Sequence, residues 1–97
     1  MSVYWLGRAK VDDAERLKSY GALVQKAGLI YQPEVLVRGG AYQILEGADV
    51  FDRWAVLRFT SMDHALTYYN SPEYQEALAH RQAATLASEL ALVEGVA

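Results

Sequence analysis

The chain has no cysteine among its 97 residues. Disulfides and thiol chemistry are therefore excluded, and a reducing, cytoplasmic setting is the expectation. Positive charge is sparse: nine Lys and Arg against twelve Asp and Glu leave a net charge of −3. Those cations are scattered and form no stripe, so a nucleic-acid partner is not expected. No apolar run approaches the ~20 residues that a membrane-spanning helix needs, and no basic segment leads into a long apolar one at the start. Neither a membrane partner nor a signal peptide is expected. His64 and His80 stand far apart with no H-x3-H or carboxylate–histidine spacing, so no metal is expected. P-loop, dinucleotide and G-x-S-x-G patterns are missing too, and no cofactor is expected.

What remains is ordinary globular material, 53% hydrophobic and 22% charged, in one expected domain over 1–97. Val3 to Ala9 (VYWLGRA) reads as a strand with bulky residues on both faces. A helix follows, opened by Asp12 with Glu15 in the manner of a capping box and closed by Gly28. Leu29 to Leu45 reads as a long strand, interrupted at Pro33 and again at Gly39-Gly40. Arg53 to Thr60 alternates as a strand: Trp54, Val56 and Arg58 on one side, Ala55, Leu57 and Phe59 on the other. Ser61 caps a short helix, Met62 to Tyr69. Ser71-Pro72-Glu73 opens a second one that runs to about Ala84. Leu86 to Glu94 alternates as a last strand.

The order β-α-β-β-α-β predicts a ferredoxin-like α+β fold, an antiparallel sheet with its helices on one face. Helices cover only that face, yet the strands are apolar on both. The open face therefore calls for a partner, and a second copy is the simplest one. The expectation is a homodimer through the open sheet face, a dimeric α+β barrel.

Val37-Arg38-Gly39-Gly40, Leu45-Glu46-Gly47, Trp54 to Phe59, Tyr69-Asn70-Ser71-Pro72-Glu73-Tyr74 with Arg81, and Val93-Glu94-Gly95 together resemble the family called domain of unknown function 1330. The resemblance covers nearly the whole chain. It implies the ferredoxin-like fold and the dimeric barrel, and it implies no particular reaction. Where that family often has a further glycine ahead of its Arg-Gly-Gly, this chain has Pro33-Glu34.

Five residues stand out as a ligand site: Arg38, Glu46, Tyr69, Tyr74 and Arg81. A guanidinium grips a carboxylate through paired N–H bonds, and Gly39-Gly40 lets a ligand approach the backbone. An Arg38–Glu46 ion pair across the bend is the alternative. Tyr74 and Arg81 lie almost two helical turns apart, on one face with Ala77 and Leu78. Arginine on such a stripe needs a partner: a ligand, or Glu46, Glu94 or a second subunit. Glu46 and Tyr74 are the candidates for moving a proton. Tyr68, Tyr69, Trp5 and Trp54 are either pocket lining or core, and both histidines are expected to face solvent. Two functions follow: a small-molecule-binding dimer for an acidic or phenolic compound, with cofactor-independent chemistry open to it, or a non-catalytic homodimeric structural or stress-related module whose charges serve fold and interface.

Overall fold

In β1 (Val3–Val11), Val3, Trp5 and Ala9 are buried while Leu6, Arg8 and Lys10 are exposed. Successive side chains of a strand point to opposite sides, so β1 has one covered and one open face. The computed structural model describes residues 1–96; the expected domain, 1–97, reaches one residue beyond the described residues, at Ala97. Three further strands are β2 (Glu34–Arg38), β3 (Arg53–Phe59) and β4 (Thr85–Glu94). All pair antiparallel, in the order β2-β3-β1-β4. Helices α1 (Ala14–Tyr31), α2 (Met62–Tyr69) and α3 (Pro72–Ala84) complete the fold. They bring Ala27, Tyr68, Tyr74 and Leu78 into one core with Val3, Trp5, Leu57 and Phe59 of the sheet. This is the α+β, ferredoxin-like architecture that the order of elements predicts, with the second helix divided in two.

Side-chain caps set the helix starts. Asp13, one residue after the expected Asp12, accepts from the backbone N–H of Arg16 at 3.1 Å. Ser61 accepts from His64 N–H at 3.0 Å and Ser71 from Tyr74 N–H at 3.1 Å, which satisfies donors that have no partner within the helix. Ser71 is buried and also donates to the Tyr68 carbonyl at 2.7 Å, so one hydroxyl ends α2 and begins α3.

Two expectations are corrected. The first helix does not stop at Gly28 but runs to Tyr31, where Gln32 turns left-handed (φ 54°) and Pro33 prevents continuation. Tertiary contacts override the glycine: the Tyr31 ring packs 5.8 Å from that of Tyr68, and its hydroxyl donates to Glu73 at 3.2 Å. His64 Nε2 reaches the Tyr31 carbonyl at 2.6 Å, and Thr60 bonds its Nδ1, so this histidine is a tether between helices and not a solvated side chain. The second correction is the long strand over 29–45. Only Glu34–Arg38 pairs, and residues 39–52 form a loop. Gly39, Gly40 and Gly47 all take positive φ (67°, 91° and 94°), a region that lets the chain leave the sheet and that other residues enter at a cost. Asp52 closes the loop onto β1, accepting from Val11 N–H at 3.0 Å, which holds its carboxyl below the usual carboxylate range.

On the open face, Leu6 pairs with Val56 on one side and Ala91 on the other. Ion pairs Arg8–Glu89 and Arg58–Glu34 flank this apolar centre. Leu86 has the same parity as Leu90 and Leu92 but is exposed, because the register slips between Lys10 and Val11 and a one-residue slip exchanges faces.

Replacing Ser71 by Ala removes the shared cap and is expected to lower stability by about 1–2 kcal/mol. In a chain of this length that corresponds to a fall in Tm of roughly 4–16 °C, readable by circular dichroism. A change within error would show that the cap does not anchor α3.

Candidate functional site

Helix α1 stands off from the covered face of the sheet and leaves a cleft of about 670 Å³. That volume falls within the ~300–1,000 Å³ typical of small-molecule sites. Trp5 and Leu57 form part of its floor, and Tyr20, Val24 and Leu29 of α1 form a wall. Tyr68 and Tyr74, both fully buried, close the inner end; Arg38 and Arg53, both exposed, stand at the mouth.

The inner end is held by stacked rings. Trp5 meets Tyr74 edge-on at 5.1 Å and Tyr68 at 5.5 Å, and the two tyrosine rings lie 5.0 Å apart. Arg81 Nη1 donates to the Tyr74 hydroxyl at 2.8 Å, and that hydroxyl shares a further bond of 3.1 Å with Tyr20. The Arg81 guanidinium also lies 5.7 Å from the Tyr20 ring centre, within cation–π reach. The Tyr68 hydroxyl and Arg81 Nε are buried and have no hydrogen-bond partner among the described residues. Burial pushes the Tyr74 hydroxyl far above the usual phenol range, Tyr20 adding to the shift and Arg81 partly opposing it. Burial raises Tyr68 in the same way, and Arg38 partly opposes that shift. At neutral pH both are protonated, so they act as hydrogen-bond donors and not as bases.

The cleft is also electrically one-sided. Arg38, Arg53 and Lys26 line it, and no Asp or Glu does. None of the ion pairs among the described residues involves Arg38, Arg53 or Arg81. A β-bulge aims Arg38 inward. Val35 pairs with Leu57 on the covered side, the register shifts, and Arg38 then pairs with Ala55 on that same side. Residues that face each other across a ladder share a face, and an unbroken alternation from Val35 would turn Arg38 away. Arg53 Nη1 lies 3.4 Å from where a Cβ on Gly39 would sit, an ordinary contact, so the positive φ is what this bend asks of the glycine.

Of the five residues singled out from sequence, Arg38 and Tyr74 line the cleft, and Arg81 stands behind Tyr74 and bonds it. Tyr69 packs its ring 5.5 Å from Tyr74 and 5.9 Å from Trp5, outside the lining. Glu46 is exposed in the 39–52 loop and lies apart from the cleft, from Arg38 and from Arg81. Neither an Arg38–Glu46 nor an Arg81–Glu46 ion pair forms. Trp54 lies on the open face, with Tyr42 and Phe51. Tyr20, Tyr68 and Arg53 complete the lining. Arg53 shares the β3 face of Ala55 and Leu57, which the strand's alternation already implies. Among the described residues, no group of three His, Cys, Asp or Glu side chains is placed to hold a metal ion. No helix among the described residues is long and apolar enough to cross a membrane.

Sheet order, helix placement and cleft define a protein of the ferredoxin-like α+β class. Residues 2–96 match the family described as Domain of unknown function (DUF1330), and the chain belongs to that family. Among solved structures it is similar to a protein of unknown function from Rhodopseudomonas palustris, at 20% identity and a TM-score of 0.83 over 99% of this chain and 83% of that one. It is also similar to a dimeric ferredoxin-like protein of unknown function from Jannaschia sp. CCS1, at 13% identity and a TM-score of 0.82 over 98% of this chain and 100% of that one. The hydroxynitrile lyase from Passiflora edulis shares the fold at 15% identity and a TM-score of 0.73, over 95% of this chain and 91% of the lyase. No curated protein matches the chain in sequence.

The buried tyrosines imply alkaline instability. An unfolded tyrosine ionises near pH 10. Tyr68 and Tyr74 are raised in the folded state. Their contribution is therefore complete below about pH 10 and is lost as pH rises, at up to about 1.4 kcal/mol per pH unit for each group. Urea midpoints measured from about pH 9 to 11 should fall steeply, and replacing both tyrosines by Phe should flatten that fall. An equally steep fall in the double variant would place its origin elsewhere.

Proposed function

We propose that this protein binds a small, largely apolar anion, a carboxylate or phenolate, in the cleft between α1 and the sheet. The one-sided charge of the lining carries this reading: cations without acids, in a chain whose net charge is −3. Such a cleft favours an anion by Coulomb attraction and disfavours a cation for the same reason. Arg38 and Arg53 take the charged group at the mouth, where guanidinium geometry suits a carboxylate. The body of the ligand lies against Trp5, Leu57 and Val24. Tyr74, braced by Arg81 and Tyr20, presents a fixed hydroxyl at the inner end. Glu46 has no part in this site.

The lining holds no His, Asp, Glu or Cys, which favours binding over acid–base turnover. The fold is shared with a lyase, and fold alone does not transfer a reaction. The protein acts as a homodimer, two copies meeting on the open sheet faces around Leu6, Val56 and Ala91; similar structures are described as dimeric. Lack of cysteine suits a cytoplasmic setting.

Calorimetric titration with 2-naphthoate, an aromatic acid, tests the site. Arg38→Ala and Arg53→Ala together are expected to weaken its binding at least tenfold while leaving the melting temperature within a few degrees, since both side chains are exposed. Unaltered affinity in the double variant would refute the cation mouth and favour a purely structural role for these charges. For the dimer, Leu6→Glu is expected to yield monomers in sedimentation velocity at micromolar concentration. A persisting dimer would place the interface on another surface.

A further inference from the structure

The inner end of the cleft contains an asymmetry that anion binding does not explain. Tyr68 and Tyr74 lie side by side, both fully buried. Tyr74 has two polar partners, Arg81 and Tyr20. The Tyr68 hydroxyl lines the same cleft and has none among the described residues. A buried hydroxyl left unpaired is costly, because it gives up its hydration and gains no partner in exchange. The rings of Trp5, Tyr31, Phe59 and Tyr74 pack around that of Tyr68.

We infer that the inner end is a second subsite, in which the Tyr68 hydroxyl pairs with an uncharged oxygen, a carbonyl or a hydroxyl, at the end of the ligand remote from its anionic group. This rests on the binding reading above and narrows its ligand to hydroxy- or oxo-substituted apolar acids. The remote oxygen is uncharged because the cations in the lining that face an anion stand at the mouth and on α1, whereas Arg81 is held behind Tyr74. A second charge driven into the fully buried end would lose its hydration without a counter-ion. A carbonyl or hydroxyl loses far less and gains a partner. Tyr68 stays protonated at neutral pH, as burial dictates, and so is always available to donate. Specificity of this kind is discriminating: a ligand lacking the oxygen leaves the buried hydroxyl unpaired, a penalty that extra apolar contact does not remove.

The test uses the full chain and three probes: 2-naphthoate, its analogue hydroxylated on the ring remote from the carboxylate (each positional isomer tried), and the methylated counterparts. Methyl approximates hydroxyl in size and has no hydrogen-bonding capacity. The best hydroxylated isomer is expected to bind the wild type about 5–10-fold more tightly than its methyl counterpart, as one added hydrogen bond in a buried site allows. Tyr68→Phe should abolish that preference, read as the ratio of the hydroxyl and methyl affinities within the variant. Retention of the preference in Tyr68→Phe overturns the subsite, as does equal binding of every hydroxyl and methyl pair by the wild type. The wild-type comparison stands even if the variant fails to fold. If 2-naphthoate binds but shows no hydroxyl preference, only the second subsite fails. If no probe binds, the cleft reading fails and the subsite with it.

Discussion

The indole of Trp5 is the contact on which sheet, helices and cleft all depend. It lies on the central strand β1, and its ring meets those of Phe59, Tyr68, Tyr69 and Tyr74 at centroid distances of 5.1–5.9 Å. Large aromatic rings contribute more burial than any other side chains, and edge-on contacts fix their mutual angles as well as their distances. The same indole lines the cleft floor. In this small domain the core and the cleft lining are therefore one aromatic layer seen from two sides. The cleft keeps its shape because collapse would require moving rings that hold α2 and α3 to the sheet. That sharing suits a chain of 97 residues, whose limited core leaves little material for a separate site scaffold.

Charge is distributed by the same economy. Four carboxylates form ion pairs on the surface, Glu89 with Arg8, Glu34 with Arg58, Asp52 with Lys10 and Glu15 with Lys18. Exposed pairs of this sort contribute little to stability, about 0–1 kcal/mol each. None of these pairs involves Arg38 or Arg53, which stand beside an apolar wall of the cleft. Arg81 differs: it is partly buried, and a phenol oxygen takes the place of a carboxylate. The arginine lends polarity to Tyr74 without adding a countercharge to the cleft.

The fold was largely legible from local patterns. β-Forming residues marked β1, period-two alternation marked β3 and β4, and Ser61 and Ser71 marked two helix starts, because these signals are carried by neighbours in the chain. The shared face of Tyr74 and Arg81 was legible for the same reason, whereas their direct hydrogen bond was not among the partners expected for Arg81. What was not legible depended on distant partners. Gly28 looks like a helix end until Tyr31 is seen packed on Tyr68 and tied by His64. Glu46 looks poised beside Arg38 only if 39–45 continues as a strand; three glycines at positive φ turn that segment away. Tyr20 and Arg53 belong to elements far apart in sequence, and only the placement of α1 over β3 unites them. The cleft residues Arg38, Tyr68 and Tyr74 thus converge through topology rather than through any single motif.

The bulge in β2 has an evolutionary corollary. Arg38 faces the cleft because one extra residue near Leu36 shifts the register of the edge strand between Val35 and Val37. The Arg-Gly-Gly letters alone do not determine that orientation. A homologue that kept this number of residues but paired them without the bulge would keep the motif intact and turn its guanidinium to the opposite side of the sheet. Strand register, which residue-by-residue identity overlooks, is therefore the trait that decides whether this arginine meets the cleft.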